Sequence, residues 1–356
     1  MKQTGQAATI LLMAGGTGGH VVPALAVAAE LINRGYHVEW LGSEHGIEST
    51  LVPKQGIRLH KFPVVGLRGK NPLRLLKSLF ALMVSIYSAY RLLGGLKPVA
   101  VVGMGGFASG PGAVAAKLRG IPIVIHEQNA VAGTTNRALA RLAAKVLAAF
   151  ENDLPAIVIG NPVPDSVAAI DAQPSSLVGI NARMLVMGGS LGALALNEMI
   201  PQALAKLPAS RRPTIVHQCG RGRVAETNAS YQQLGIEAEV VEFIDDVAAS
   251  YVASDFIVCR SGALTVSEVA CAGLPAILVP FPYAIDDHQT ANANVLAAAG
   301  AAELLQQRDW SEDGLATSID ELTNNPSLRA QRSEAAKSVA IRDAAVRAVD
   351  IIESLK

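Results

Sequence analysis

His20 stands directly behind a glycine run, Gly15-Gly-Thr-Gly-Gly-His20, which itself follows the apolar stretch Ala8–Met13. A strand, a glycine turn and a helix start present backbone N–H groups to an anion. A histidine at a helix N-terminus is favoured in its neutral form, fit to serve as a base or as a partner for a hydroxyl. His126-Glu127-Gln128-Asn129 follows the apolar run Pro122–Ile125. Polar groups at the C-terminal end of a buried parallel strand lie where such sheets bind ligands. Arg260-Ser-Gly-Ala-Leu-Thr-Val-Ser-Glu268 follows Asp255–Cys259. There Ser261 or Gly262 can cap a helix, and Glu268, about two turns in, can accept the two hydroxyls of a ribose. Asp286-Asp-His-Gln289 with Asn292 and Asn294 suits sugar hydroxyls.

Other chemistries are excluded by what is missing. Neither Gly15–His20 nor Gly188–Gly192 is a P-loop, because no GK[ST] follows. Val21 stands where a dinucleotide fingerprint needs glycine or alanine. The sequence has no HExxH and no DxD. Asp245-Asp246 and Asp286-Asp287 are adjacent pairs whose side chains point apart, so no metal site is expected. Three widely spaced cysteines form neither a zinc ligand set nor a disulfide framework, which fits a reducing compartment.

The elements that must position these groups alternate. Strands are predicted at Ala8–Met13, His37–Leu41, Ala100–Gly103 and Pro122–His126, with helices at Pro23–Asn33 and near Gly110–Arg119. A second series begins at Arg183–Met187 and continues through Thr214–Gln218, Glu239–Phe243, Phe256–Arg260 and Ala276–Val279. Alternating strands and helices imply parallel sheets covered on both faces. Gly15, Gly16 and Gly19 match Gly188, Gly189 and Gly192 at a constant offset of 173 residues. The 356-residue chain therefore reads as two doubly wound domains, each opening with the same device, with ligands facing each other across a cleft. The boundary is placed near Gly160–Pro164, where two prolines interrupt regular structure.

The formal net charge of zero conceals an asymmetry. Residues 1–165 carry 16 basic and 8 acidic side chains, and no acid occurs between Ser49 and His126. A basic half implies an anionic partner, and the lack of an aromatic platform argues against nucleic acid. Leu73–Leu93 is the most apolar stretch, but its run between Lys77 and Arg91 is 13 residues. It is expected to be a buried or interfacial helix rather than a membrane span. The N-terminus lacks the long apolar segment and cleavage site of a signal peptide.

Taken together, GGTGGH (15–20), GMGGFASGP (103–111), HEQN (126–129), GNPV (160–163), GGSLGA (188–193), RSGALTVSE (260–268) and DHQTANA (287–293) resemble the MurG family of bacterial glycosyltransferases. The likeness runs in order over nearly the whole chain. It implies a GT-B fold, α/β with two Rossmann-like doubly wound domains facing across a cleft. Residues 1–163, with a C-terminal helix at about 340–356 packing back on them, would form the acceptor and membrane-facing domain. Residues 164–339 would bind UDP-N-acetylglucosamine. The implied reaction moves N-acetylglucosamine, with inversion, onto the muramoyl 4-hydroxyl of lipid I. This makes lipid II for peptidoglycan at the cytoplasmic face of the plasma membrane, with an anionic phospholipid surface as partner. Another nucleotide-sugar enzyme, such as a UDP-N-acetylglucosamine epimerase, is the alternative, but it would not need the acid-free basic stretch.

By the resemblance, Ser190 contacts the diphosphate, the backbone of Ile244 reads the uracil, and Ala263, Leu264, Thr265, Val266 and Ser267 offer N–H groups to the phosphates. Glu268 binds the ribose. Gln289 and Asn129 contact the sugar, and Thr17, Gly18, Gly19 and His20 face the acceptor or its pyrophosphate. No metal or other cofactor is implied, since N–H donors can stabilise the leaving diphosphate. The base remains open between His20 and Glu127. Two positions depart from the family pattern. Pro164 replaces an arginine that contacts the donor, and Phe107 replaces a tyrosine.

Overall fold

Uninterrupted apolar runs become central parallel strands, buried on both faces. In the computed structural model, which describes residues 7–44, 46–62, 72–106, 108–170, 182–189 and 192–355 (only the backbone at 72–78), two sheets form. The first comprises β1 (Thr9–Met13), β2 (His37–Ser43), β3 (Arg58–Phe62), β4 (Ala100–Gly103), β5 (Ile123–Glu127), β6 (Lys145–Ala148) and β7 (Ile157–Val158). Their order is β3-β2-β1-β4-β5-β6-β7, all parallel. The second comprises β8 (Arg183–Met187), β9 (Thr214–Gln218), β10 (Glu239–Val241), β11 (Phe256–Cys259), β12 (Ala276–Leu278) and β13 (Ala302–Leu304). Its order, β10-β9-β8-β11-β12-β13, repeats the first. Both are doubly wound, with a switch point between β1 and β4 and between β8 and β11.

The chain divides into one unit of residues 1–164 with 343–356 and another of residues 165–342. In the first, alternate residues of β1 serve opposite cores. Ile10 and Leu12 pack under the helix Gly18–Asn33 and the C-terminal helix Ala344–Glu353. Leu11 and Met13 pack toward Ala89, Leu93 and the helix Ser109–Leu118. The C-terminal helix is fixed by buried Ala348, Val349 and Ile352, and Arg34 pairs with Asp350 at 2.6 Å and Glu353 at 2.8 Å. Apolar burial at roughly 25 cal/mol per Å² outweighs the half-exposed ion pairs. In the second unit Met184 and Val186 pack against the helices Leu194–Ala205 and Glu312–Asn324.

Three features differ from the sequence reading. The first helix begins at Gly18, five residues before Pro23, because the missing proline N–H falls against Gly19, and packing of Val21 and Ala24 outweighs the lost bond. The strands β3, β6, β7 and β13 were not predicted; β3, RLHKF, mixes charged and apolar residues at an edge. The apolar helix extends over Pro72–Leu96, so length does not exclude a span, and its window Leu79–Leu96 is only 17% buried. Ser85, Ala89 and Leu93 are nevertheless seated in the core, which ties one face of this helix to the first sheet's covering layer.

Two fully enclosed histidines are held neutral. His217 Nε2–H donates to Asn197 Oδ1 at 3.1 Å, and Nδ1 accepts from the Tyr231 hydroxyl at 2.8 Å. His126 Nε2–H donates to the Gly160 carbonyl at 2.9 Å. Burial pushes each down from 6.5 to about 4. The unfolded chain therefore binds more protons between those values, and stability present above pH 6.5 is lost as pH falls toward 4, by roughly 3 kcal/mol per histidine. Glu268, pushed up to about 7 by burial, works in the opposite sense over the same window. Two histidines against one carboxyl leave a net acid loss on the order of 3 kcal/mol. Thermal melts at pH 7.5, 5.5 and 4.5 should show a falling midpoint, with a shallower fall in His217→Leu; a flat profile would refute this assignment.

Candidate functional site

The first unit gathers its polar groups where β1, β4 and β5 end. Gly16 lies at φ +98°, Gly105 at +94° and Gly106 at +80°, conformations that favour glycine. A Cβ on Gly106 would stand 2.2 Å from the Gly15 carbonyl oxygen, and one on Gly105 2.5 Å from His20 Nδ1. The turn after β4 thus exists to let two backbones and an imidazole meet. Ser109 Oγ ties both turns, donating toward Met13 O at 2.9 Å and Gly105 O at 2.8 Å.

The orientation of His20 follows from Gln128. The amide Nε2 donates to the Met104 carbonyl at 2.7 Å, and the reversed amide would oppose two oxygens. Gln128 Oε1 therefore faces His20 Nδ1 at 3.2 Å, so Nδ1 carries the proton and Nε2 the lone pair. Sequence reasoning quoted Gln128 but gave it no part. Glu127 differs sharply from His20. It is buried, with Oε1 accepting from Asn129 N and Nδ2 at 3.0 and 3.2 Å. Its Oε2 accepts from Gly133 N at 3.0 Å and Asn136 Nδ2 at 2.8 Å. Four N–H donors on one carboxylate make Glu127 the clamp of the loop that carries Asn129.

In each glycine turn some N–H groups already have a partner within the chain. Gly16 N donates to Glu48 Oε2 at 3.0 Å, and Ser43 N and Oγ hold Glu48 Oε1 at 2.8 and 2.6 Å. These bonds outweigh desolvation and hold the buried Glu48 carboxyl below the usual range. Where an external anion was anticipated, the chain supplies its own, 32 residues away and without a sequence signal. In the second unit Gly189 N donates to Gln218 Oε1 at 3.1 Å, and Gly192 N to Gly189 O at 2.8 Å. Among the described residues, helix first turns leave N–H groups for a ligand at Gly18 and Gly19 after Thr17, and at Ala263, Leu264 and Thr265.

That second helix, Ala263–Ala272, has Gly262 as its N-cap and no side-chain cap. Val266 N donates to Gly262 O, and Ser267 lies one turn in with its hydroxyl on Ala263 O at 3.0 Å. The helix therefore uses the N–H groups of Val266 and Ser267 itself, which narrows the predicted set to three residues. Glu268 is 7% exposed, not a solvated surface acid, and its Oε2 accepts from the Tyr251 hydroxyl at 3.0 Å. Gln289 Oε1 accepts from Phe281 N at 2.9 Å, which turns its Nε2 donors outward. Arg260 holds the same loop through the Val279 and Pro280 carbonyls at 3.1 and 3.0 Å. Ile244 is buried beside Phe243, an exposed ring suited to stacking on a base. Ser190 and Phe107 lie outside the described residues. Among the described residues no three His, Cys, Asp or Glu side chains are placed to hold a metal ion.

Residues 10–148 match the glycosyltransferase family 28 N-terminal domain, and residues 183–348 the glycosyltransferase family 28 C-terminal domain. A UDP-N-acetylglucosamine–N-acetylmuramyl-(pentapeptide) pyrophosphoryl-undecaprenol N-acetylglucosamine transferase of Pseudomonas fluorescens is 49% identical over 348 residues, covering 97% of this chain and 98% of the relative. A crystal structure of MurG from Acinetobacter baumannii superposes with a TM-score of 0.82 at 40% identity, covering 98% and 99% of the two chains. A UDP-GlcNAc 2-epimerase from Neisseria meningitidis shares the fold alone, with a TM-score of 0.66 at 15% identity over 98% of this chain and all of that one.

Proposed function

The chain belongs to glycosyltransferase family 28, and from that premise we propose that it transfers N-acetylglucosamine from UDP-N-acetylglucosamine to lipid I, yielding lipid II. The observation that carries this reading is the likeness to transferases of that name over nearly the whole chain at 49% identity, whereas an epimerase at 15% shares the fold alone.

In this reading His20 Nε2 takes the proton of the muramoyl 4-hydroxyl as that oxygen attacks the anomeric carbon and UDP departs. Gln128 holds the tautomer, and Glu127 holds the loop. Negative charge grows on the departing diphosphate, and the first-turn N–H groups at Ala263–Thr265 meet it without reorganising. Glu268 takes the ribose hydroxyls, Ile244 and Phe243 the base, and the Gln289 amide a sugar oxygen. Asn129 is assigned to the sugar as well, and Thr17–Gly19 to the acceptor pyrophosphate. This chemistry asks for no metal. The test is incubation with UDP-N-acetylglucosamine, with and without a lipid I analogue. Release of UDP only with the acceptor supports the transfer; release or epimer formation without it removes the reading.

An acceptor with a polyprenyl tail is held in a bilayer, and in this reading the exposed side of the helix Pro72–Leu96 docks on it. Phe80, Met83 and Tyr87 are 72%, 64% and 62% exposed on one side of the helix Pro72–Leu96, with Leu79 and Val84 beside them. The sequence also supplies Arg68 and Lys70, outside the described residues, and Arg74 and Lys77, whose side chains are likewise not described. Each buried apolar side chain contributes about 1.5–3 kcal/mol and each basic residue near an anionic leaflet about 1 kcal/mol. Phe80→Ser with Met83→Ser, and separately Arg74→Glu with Lys77→Glu, should weaken sedimentation with phosphatidylglycerol vesicles at least tenfold, while UDP binding stays unchanged. Equal sedimentation of wild type and both variants at low salt would remove this helix from membrane docking.

A further inference from the structure

Glu268 has a partner that no motif announces. Tyr251 closes the short helix Val247–Val252, whose start is capped by Asp246 accepting from Ala249 N at 2.9 Å. The phenol is 1% exposed, and its hydroxyl donates to Glu268 Oε2 at 3.0 Å. The two residues are 17 apart in sequence, on elements that flank β11. A carboxylate has two oxygens, so fixing Oε2 leaves Oε1 as the acceptor for anything brought to the helix. Resting on the reading that Glu268 takes the donor ribose, we propose that Tyr251 is a positioning residue for the nucleotide. It sets the carboxylate plane so that Oε1 meets the ribose hydroxyls.

The electrostatics work in the same direction. Burial pushes the Glu268 carboxyl up to about 7, and the Tyr251 bond is the contact that opposes this. The helix bearing Glu268 packs against 165–168, 247–252, 288–298 and 326–338, and of these Tyr251 supplies the titratable side chain bonded to it. The other titratable neighbours are Cys259 and Cys271, beside Arg260 and Arg342. Burial pushes their thiols up to about 12 and about 11, so both are uncharged near neutrality and neither can replace the hydroxyl. Without the phenol, the carboxyl would hold its proton to still higher pH.

The experiment is the pH dependence of the KM for UDP-N-acetylglucosamine between pH 5.5 and 9, in wild type, Tyr251→Phe and Glu268→Gln. Wild type should lose donor affinity as pH falls through about 7, because the protonated carboxyl gives up an acceptor. Tyr251→Phe keeps the ring and the packing. It should raise KM about tenfold at pH 7, move the acid limb up by about one pH unit, and leave kcat at saturating donor within about twofold. Calorimetry with UDP alone gives a second measurement. Wild type should release a fraction of a proton on binding near pH 7 beyond that released by Glu268→Gln, and Tyr251→Phe a larger fraction. A Tyr251→Phe profile that overlays wild type, with Glu268→Gln weakened and flat, overturns the positioning role alone. UDP affinity in Glu268→Gln equal to wild type at every pH overturns the ribose reading beneath it.

Discussion

His20→Ala is expected to lower kcat by roughly two to four orders of magnitude, the usual contribution of a positioned general base. The affinity for UDP should be unchanged, because His20 belongs to the first unit and the proposed nucleotide contacts to the second. The expectation rests on geometry. Gln128, locked by the Met104 carbonyl, forces the proton onto Nδ1 and leaves the basic lone pair on Nε2. Single-turnover assays with saturating donor would measure it. A loss under tenfold with a raised acceptor KM would instead make His20 a binding residue.

Glu268→Ala should raise the KM for UDP-N-acetylglucosamine far more than it lowers kcat. Charge-assisted hydrogen bonds are worth roughly 1.5–3 kcal/mol, or about 10- to 150-fold. The carboxylate is assigned to the ribose, remote from the breaking bond, so the loss should be common to ground and transition states. The change also strands the buried Tyr251 hydroxyl, which adds a stability cost of about 1–3 kcal/mol for an unsatisfied donor. Initial rates over a range of donor concentrations, with a thermal melt alongside, would separate the two effects. An unchanged KM would make the carboxylate a purely structural partner of Tyr251.

Long-range partners set the limits of what could be read from the chain. Central strands such as β1 and β8 are legible because burial on both faces demands a continuous apolar run. Edge strands such as β3 carry no such demand, and the burial pattern of RLHKF follows no clean alternation. The glycine turns were legible as turns, yet the internal partners of Gly16 and Gly189 were not. Whether a turn's N–H groups are open depends on what sits beneath them, and Glu48 and Gln218 arrive from elsewhere in the fold.

By itself the sequence determined the doubly wound class, the repeat at an offset of 173 and the family motifs that carry His20, Glu268 and Gln289. These follow from local rules, since burial, backbone conformation and helix starts are written in neighbouring residues. Only the tertiary structure decided the contacts within each motif. It made Glu127 a clamp, gave His20 its tautomer through Gln128, limited the free N–H groups of the helix Ala263–Ala272 to Ala263–Thr265 and paired Glu268 with Tyr251. A hydrogen bond acts across about 3 Å of space regardless of the residues between its partners in the chain. Which nitrogen holds a proton, and which oxygen is left for a ligand, is therefore settled by folding.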